Sequence, residues 1–224
     1  GPDGRRVLDR RRWGLIPSWA REAAMGDRLI NARSETAAEK PSFRSAYARR
    51  RCIVPVDGFY EWRAVPGRRT KQPVYIHAPG GAPLALAGLW ESWHDPTAPE
   101  DAPAVSTCAI LTTDANTRLA PVHDRMPVIL DEPSWGAWLD PATDAAVLAP
   151  LLVPAPDGLL TMHPVSTAVN NVRNKGVELI ADLVQRPHFD ARDLEREKQV
   201  LQLENALMRF ERLLPHPTDP KKAK

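Results

Sequence analysis

Glu61 is the first residue in this chain whose surroundings suggest chemistry. It stands in GFYEWR among Phe59, Tyr60 and Trp62, and strand alternation would turn Glu61 and Phe59 to one face. A carboxylate desolvated by aromatic rings holds its proton toward neutrality, which suits a general acid or base; pairing with one of the many arginines is the competing role. His123, in APVHDRMP, sits in a proline-stiffened loop beside Asp124 and Arg125. It could move a proton near pH 7, or simply brace the loop. Asn31 and Arg33, in RLINARSET, fall at a probable helix start, where free backbone N–H groups favour an anion. The plainer roles there are an N-cap for Asn31 and a helical ion pair with Glu35 or Glu39 for Arg33.

Cations and tryptophans point to an extended anionic partner. The net charge is only +2, but basic residues cluster at Arg5, Arg6 and Arg10–Arg12, at Arg44 and Arg49–Arg51, and at Arg63, Arg68, Arg69 and Lys71. Clustering of this kind makes either a local electrostatic footprint or a solvated surface. Of seven tryptophans, Trp13, Trp19 and Trp62 lie in arginine-bearing segments. Rings stack on unpaired bases while arginines hold phosphates. Trp90, Trp93, Trp135 and Trp138 read as core.

Several classes of chemistry find no support. Cys52 and Cys108, the two cysteines, lie far apart within apolar strand candidates. There a thiol behaves as a small hydrophobe rather than a nucleophile, and no disulfide framework or metal spacing is present. No Walker loop, GxGxxG, HExxH or GxSxG occurs, so neither a metal nor a cofactor is expected. No apolar run is long enough to span a membrane, and the expected compartment is the reducing cytoplasm. Gly1 in place of Met points to a fragment, a processed chain or a Gly-Pro remnant of tag removal.

These residues must be positioned by short elements, because 23 prolines in 224 residues leave little room for long helices before about residue 185. Strands are expected at Arg51–Val56, Gly58–Arg63, Pro73–His77, Leu84–Trp90 and Val105–Thr112. Short helices are expected at Ala32–Ala38, Pro41–Ala48 and Glu132–Leu139. The fold class is α+β, a curved and mainly antiparallel sheet or barrel with short peripheral helices, occupying residues 1–190. From about Ala191 to the end at 224 the texture becomes charged and leucine-rich. Val200, Leu203, Leu207, Phe210 and Leu214 recur at helical spacing, which allows weak self-association through that helix or packing on its own domain.

Read together, RRWGLIPSWA, LINARSET, RRCIVPVDGFYEW, LALAGLWESW, CAILTTDAN, VHDRMPVIL, WLD and VSTAVNNVRNKG resemble the SRAP (SOS response-associated peptidase) family over roughly Arg12 to Leu179. The resemblance implies a domain that binds single-stranded DNA and captures abasic sites. In that family, the α-amine and thiol of a cysteine exposed by loss of the initiator Met close a thiazolidine with the ring-opened sugar. It further implies that Asn31 lies beside that cysteine, and that Glu61 assists Met removal and proton transfer. His123 would handle protons on the sugar and during reversal. Arg33 and Arg125 would hold phosphates, Thr112 would contact the DNA backbone, and Trp13 and Trp62 would offer aromatic surfaces near the lesion.

The Met-Cys-Gly-Arg start of the family is not among these residues, so the resemblance implies that residues 1–224 alone form no thiazolidine. A catalytically inactive single-stranded-DNA-binding or scaffold module assembling through the C-terminal helix is the alternative from another class. A general peptidase acting on other proteins finds no internal nucleophile.

Overall fold

The apolar alternation of LALAGLWESW and VSTCAILTTD builds the two longest strands, and everything else is arranged around them. The computed structural model describes residues 7–180, so the helix expected from Ala191 and the domain boundary near residue 190 lie outside the described residues. Among the described residues nine strands form two sheets: β1 Arg12–Trp13, β2 Asn31–Arg33, β3 Arg51–Val56, β4 Gly58–Arg63, β5 Gln72–His77, β6 Leu84–Trp93, β7 Val105–Asp114, β8 Arg125–Pro127 and β9 Thr161–Pro164. β3, β6 and β7 run antiparallel in one sheet, with β1, β2 and β8 also bonded to β7; β4, β5 and β9 form the other.

Strand β7 is the axis of the larger sheet. Cys108 pairs with both Trp90 and Trp13, Ile110 with both Gly88 and Asn31, and Thr112 with both Arg33 and Pro127. A strand residue has two edges, so β1 and β2 share one side of β7, while β8 succeeds β6 on the other. The pairings of β1 and β2 with β7 are parallel, so the sheet is mixed, with its longer pairings antiparallel as expected. Parallel pairing needs a crossover, which the chain from 14 to 30 and the long excursion from 34 to 104 supply.

Alternation divides the interior in two. Ala85, Ala87 and Leu89 of β6, with Ala109 and Leu111 of β7, face a helical layer of α1 Ser34–Ala37, α2 Arg44–Arg49, α3 Trp135–Leu139 and α4 Ala145–Leu148. Tyr47, Trp135, Trp138 and Leu148 fill that layer. Leu84 and Leu86 face the other way, packing with Val74, Ile76, Leu119, Met126 and Leu160 between the two sheets. Each fully buried Leu or Ile contributes about 1.5–3 kcal/mol. The chain crosses from β3 to β4 through Asp57 alone, and the close approach falls on Gly58. A Cβ there would lie 2.5 Å from the Ile76 carbonyl oxygen and 2.6 Å from the Tyr75 ring.

Several local expectations are corrected. The segment expected to be helical from Ala32 is strand from Asn31 to Arg33, and the helix begins at Ser34 with no side-chain cap bond. Asn31 is therefore not an N-cap: in-register pairing with β7 overrides the local helix signal. The expected helix at Pro41–Ala48 occupies Arg44–Arg49. The one at Glu132–Leu139 opens with a 3-10 turn at Glu132–Ser134 before α3.

The second basic cluster is also largely structural. Arg51 is 5% exposed and donates to the carbonyls of Tyr47, Ala48, Trp138 and Asp140. These lie at the C-terminal ends of α2 and α3, where a cation completes unpaired carbonyls and opposes the helix dipole. Arg50 is tied to the buried Glu91 at 2.5 Å.

Candidate functional site

Register on β7 assembles half of the site. Trp13 lies opposite Cys108, Asn31 opposite Ile110 and Arg33 opposite Thr112. Paired residues point to the same face of a sheet, so Trp13, Asn31 and Arg33 share a face with Cys108, Ile110 and Thr112. Ala32, between them, is buried against the helices. Trp13 is 55% exposed and held by a 2.8 Å bond from its indole N–H to the Ile30 carbonyl, which presents an anchored ring to solvent. Its position depends on Gly14. That residue has φ +115°, and a Cβ there would stand 2.6 Å from the Gly26 carbonyl oxygen.

β8 supplies the next layer, with Pro127 opposite Thr112 and Arg125 opposite Asp114. The Arg125 side chain forms a fork. Nη1 and Nη2 each donate to Glu35 at 2.8 Å, Nη1 also to Asp114 at 2.6 Å, and Nη2 to the Thr112 carbonyl at 2.7 Å. Its hydrogen bonds to Glu35 hold that carboxyl below the usual range and raise the Arg125 guanidinium further. Arg125 thus shares its charge with two carboxylates. Arg33, exposed at the next register position, makes no salt bridge among the described residues. The hydrogen-bonded partner of Glu35 is the distant Arg125 rather than the expected Arg33, whose charge nonetheless helps to lower the Glu35 carboxyl.

The loop from 115 to 124 places His123. The Ala115 N–H donates to the Asp124 carbonyl at 2.9 Å, and the His123 N–H to the Leu119 carbonyl at 3.1 Å. The buried Asn116 side chain ties the loop's base to Leu119 and Ala155. His123 Nδ1 accepts from the Arg125 main-chain N–H at 2.9 Å and lies 3.2 Å from the Asp124 carboxylate.

Glu61 approaches from the other sheet. It shares a face of β4 with Phe59, which packs into the core between the sheets. Burial pushes the Glu61 carboxyl up from its ordinary value; His123, the Trp62 backbone N–H and Lys71 pull it back, and Asp124 adds to the rise. The expectation of a desolvated carboxylate is met, and its electrostatic neighbour is His123. Trp62 alternates away from Glu61 and donates from its indole to Asn170 Oδ1 at 2.7 Å, so the aromatic neighbour in sequence occupies the other side of β4.

Glu35, Asp114, Lys71 and Asp124 belong to the constellation as fully as the expected residues. Asp124 was expected as the neighbour of His123, Glu35 only as a helical partner of Arg33, and Lys71 only as one of a basic cluster; Asp114 gave no local sign. Neither cysteine offers a thiolate. Burial pushes Cys52 up to about 12 and also raises Cys108. Among the described residues, no three His, Cys, Asp or Glu side chains are grouped to hold a metal, and no helix is long and apolar enough to cross a membrane.

Two sheets around a shared core, with polar residues drawn to one face from β1, β2, β4 and the loop before β8, define an α+β class that is found in solved structures. A protein from Bacteroides thetaiotaomicron superposes with a TM-score of 0.68 at 30% identity, covering 76% of this chain and 74% of that one. The SOS response associated peptidase (SRAP) family matches residues 2–172, and the chain belongs to that family. Its relatives include the abasic site processing protein YoqW of Bacillus subtilis, 43% identical over 174 residues, 77% of this chain and 75% of that protein. The abasic site processing protein HMCES of Xenopus tropicalis is 36% identical over 205 residues, covering 80% of this chain and 58% of that protein.

Proposed function

We propose that this protein processes abasic sites in DNA, binding the single strand across the Trp13–Asn31–Arg33 face and handling protons through Glu61 and His123. The observation that carries the reading is the meeting of a burial-raised carboxyl on one sheet with a loop histidine on the other. Beside them lies a face bearing an exposed, anchored indole and an exposed arginine. Stacking on Trp13 tolerates any base, and Arg33 supplies a phosphate contact, so binding has little sequence preference and strong salt dependence. Thr112 contacts the backbone, Trp62 offers an aromatic surface on the side of β4 away from Glu61, and Arg125, on the face of Arg33 by its register with Asp114, orders that face through Glu35 and Asp114.

The chemistry is capture of the ring-opened sugar by a cysteine at a mature N-terminus. Its α-amine condenses with the aldehyde carbon and releases water, and its thiol adds to the resulting imine carbon, closing a thiazolidine. Asn31 lies beside that cysteine. Glu61, protonated to higher pH than an ordinary carboxyl, takes and returns protons during removal of the initiator Met and during condensation. His123 serves the opening sugar and the slow reversal. A cytoplasmic site of action, at the nucleoid if the source is bacterial, fits this substrate.

The test uses an abasic single-stranded oligonucleotide with two polypeptides, residues 1–224 and a full-length form that carries the family's N-terminal segment, with its Met-Cys-Gly-Arg start, ahead of them. The first is expected to give only a salt-sensitive complex, the second an adduct that survives denaturation. A complex without any adduct from the second would favour the non-catalytic binding module, and no complex from either would overturn the reading.

A further inference from the structure

The Nδ1 atom of His123 has an unusual set of neighbours, and they bear on which ring nitrogen meets the substrate. The Arg125 main-chain N–H points at Nδ1 from 2.9 Å. The Arg125 carbonyl and the Asp124 carboxylate are each 3.2 Å away. A backbone N–H can only donate, so its shorter contact makes Nδ1 the acceptor in the neutral ring and leaves the hydrogen on Nε2. The hydrogen bond made by one imidazole nitrogen sets the state of the other.

The donor amide is itself held by side chains remote in sequence. Arg125 is anchored through its guanidinium by both oxygens of Glu35 on α1, by Asp114 on β7 and by the Thr112 carbonyl. Glu35 lies in α1, which directly follows the strand carrying Asn31 and Arg33, so a single fork ties the segment carrying those residues to the turn carrying His123. The fork is bidentate, a geometry that fixes orientation as well as distance. The mutual shifts of Glu35 downward and Arg125 upward agree with a standing pair.

We infer that Glu35 is a positioning residue: through the Arg125 fork it holds the Arg125 amide on His123 Nδ1, so that neutral His123 faces the substrate as a hydrogen-bond donor from Nε2. This rests on the functional reading above for the identity of the substrate, but the tautomer and its dependence on Glu35 do not.

The experiment is long-range proton–nitrogen correlation NMR of the full chain labelled with nitrogen-15, with His123 assigned by the signals lost in His123→Gln. In the wild type above the imidazole titration, Nδ1 is expected to give a pyridine-like shift and Nε2 a pyrrole-like shift. Glu35→Gln is expected to replace that pattern with averaged shifts from two tautomers. Arg125→Lys, which keeps the main-chain amide but loses the fork, does the same and serves if Glu35→Gln does not fold. A wild type carrying hydrogen on Nδ1, or folded variants of both kinds that keep the wild-type pattern, overturns the inference. A fixed Nε2–H tautomer that loosens in the variants, in a Met-Cys-led protein that forms no abasic adduct, upholds the positioning role and removes the functional reading alone.

Discussion

Arg33 and Arg125 occupy adjacent register positions at the end of β7, yet they should respond oppositely to loss of charge. In Arg125→Gln, Glu35, Asp114 and the Thr112 carbonyl lose their shared partner. Glu35 and Asp114 are 46% and 79% exposed, so solvent screens each of those pairs to about 0.2–1 kcal/mol. The bond to the half-buried Thr112 carbonyl is worth about 1.5 kcal/mol, as hydrogen bonds from charged donors are. The sum is about 2–3.5 kcal/mol, which lowers Tm by about 4–14 °C for a chain of this size. Arg33→Gln alters an exposed residue and should cost less than about 0.5 kcal/mol. For binding the order reverses. A lost phosphate contact on a single strand reduces the log–log salt slope by about 0.7, and Arg33→Gln should show that reduction. Arg125→Gln, measured on the folded fraction, should leave the slope within error of wild type. Anisotropy titrations of a labelled strand across a salt series, beside thermal melts, measure both quantities. A reduced slope for Arg125→Gln with an unchanged Tm would refute the division between a phosphate-binding and a structural arginine.

Three further outcomes follow from buried groups. Arg51→Met removes the cation that joins the ends of α2 and α3 and leaves four carbonyls unpaired; chemical denaturation should show a loss of about 3–5 kcal/mol, as for other broken buried charge networks. Glu61 holds its proton to higher pH in the folded than in the unfolded chain. Folded protein therefore binds the extra proton between the ordinary carboxyl range and the raised value, and stability from this group is lost as pH rises through that window. Glu61→Gln should flatten this part of the stability–pH curve and be more stable than wild type at neutral pH; an unchanged curve would show that Glu61 is not desolvated. Cys52, pushed to about 12 by burial, should resist alkylation at pH 8 until denaturant is added, as mass spectrometry would record.

Strands with internal periodicity were legible from the residues alone. Arg51–Val56 and Gly58–Arg63 are found at their expected limits, and the expected ends of β6 and β7 fall short by two or three residues. β1, β2, β8 and β9 were not legible, because two to four residues carry no alternation to detect and each exists only by bonding to a longer strand. The helix signal in NARSET was real but began late, since pairing with β7 claimed its first residues. Within the site, Glu61 could be singled out from its aromatic neighbours and His123 from its stiff loop. The Arg125–Glu35 fork joins elements distant in the chain and leaves no spacing to read. The arginines divide for a similar reason: only the folded positions separate Arg51, consumed by helix ends, from Arg33, left open to solvent.

The most direct test of the account is adduct formation by the chain led by Met-Cys on an abasic single strand, followed on denaturing gels for wild type, Glu61→Gln and His123→Gln. Wild type is expected to form a denaturation-resistant adduct, with rates of formation or reversal lowered about 10²–10⁴-fold in the two variants, the usual contribution of a positioned acid or base. Adduct formation and reversal at wild-type rates in both folded variants would contradict that expectation.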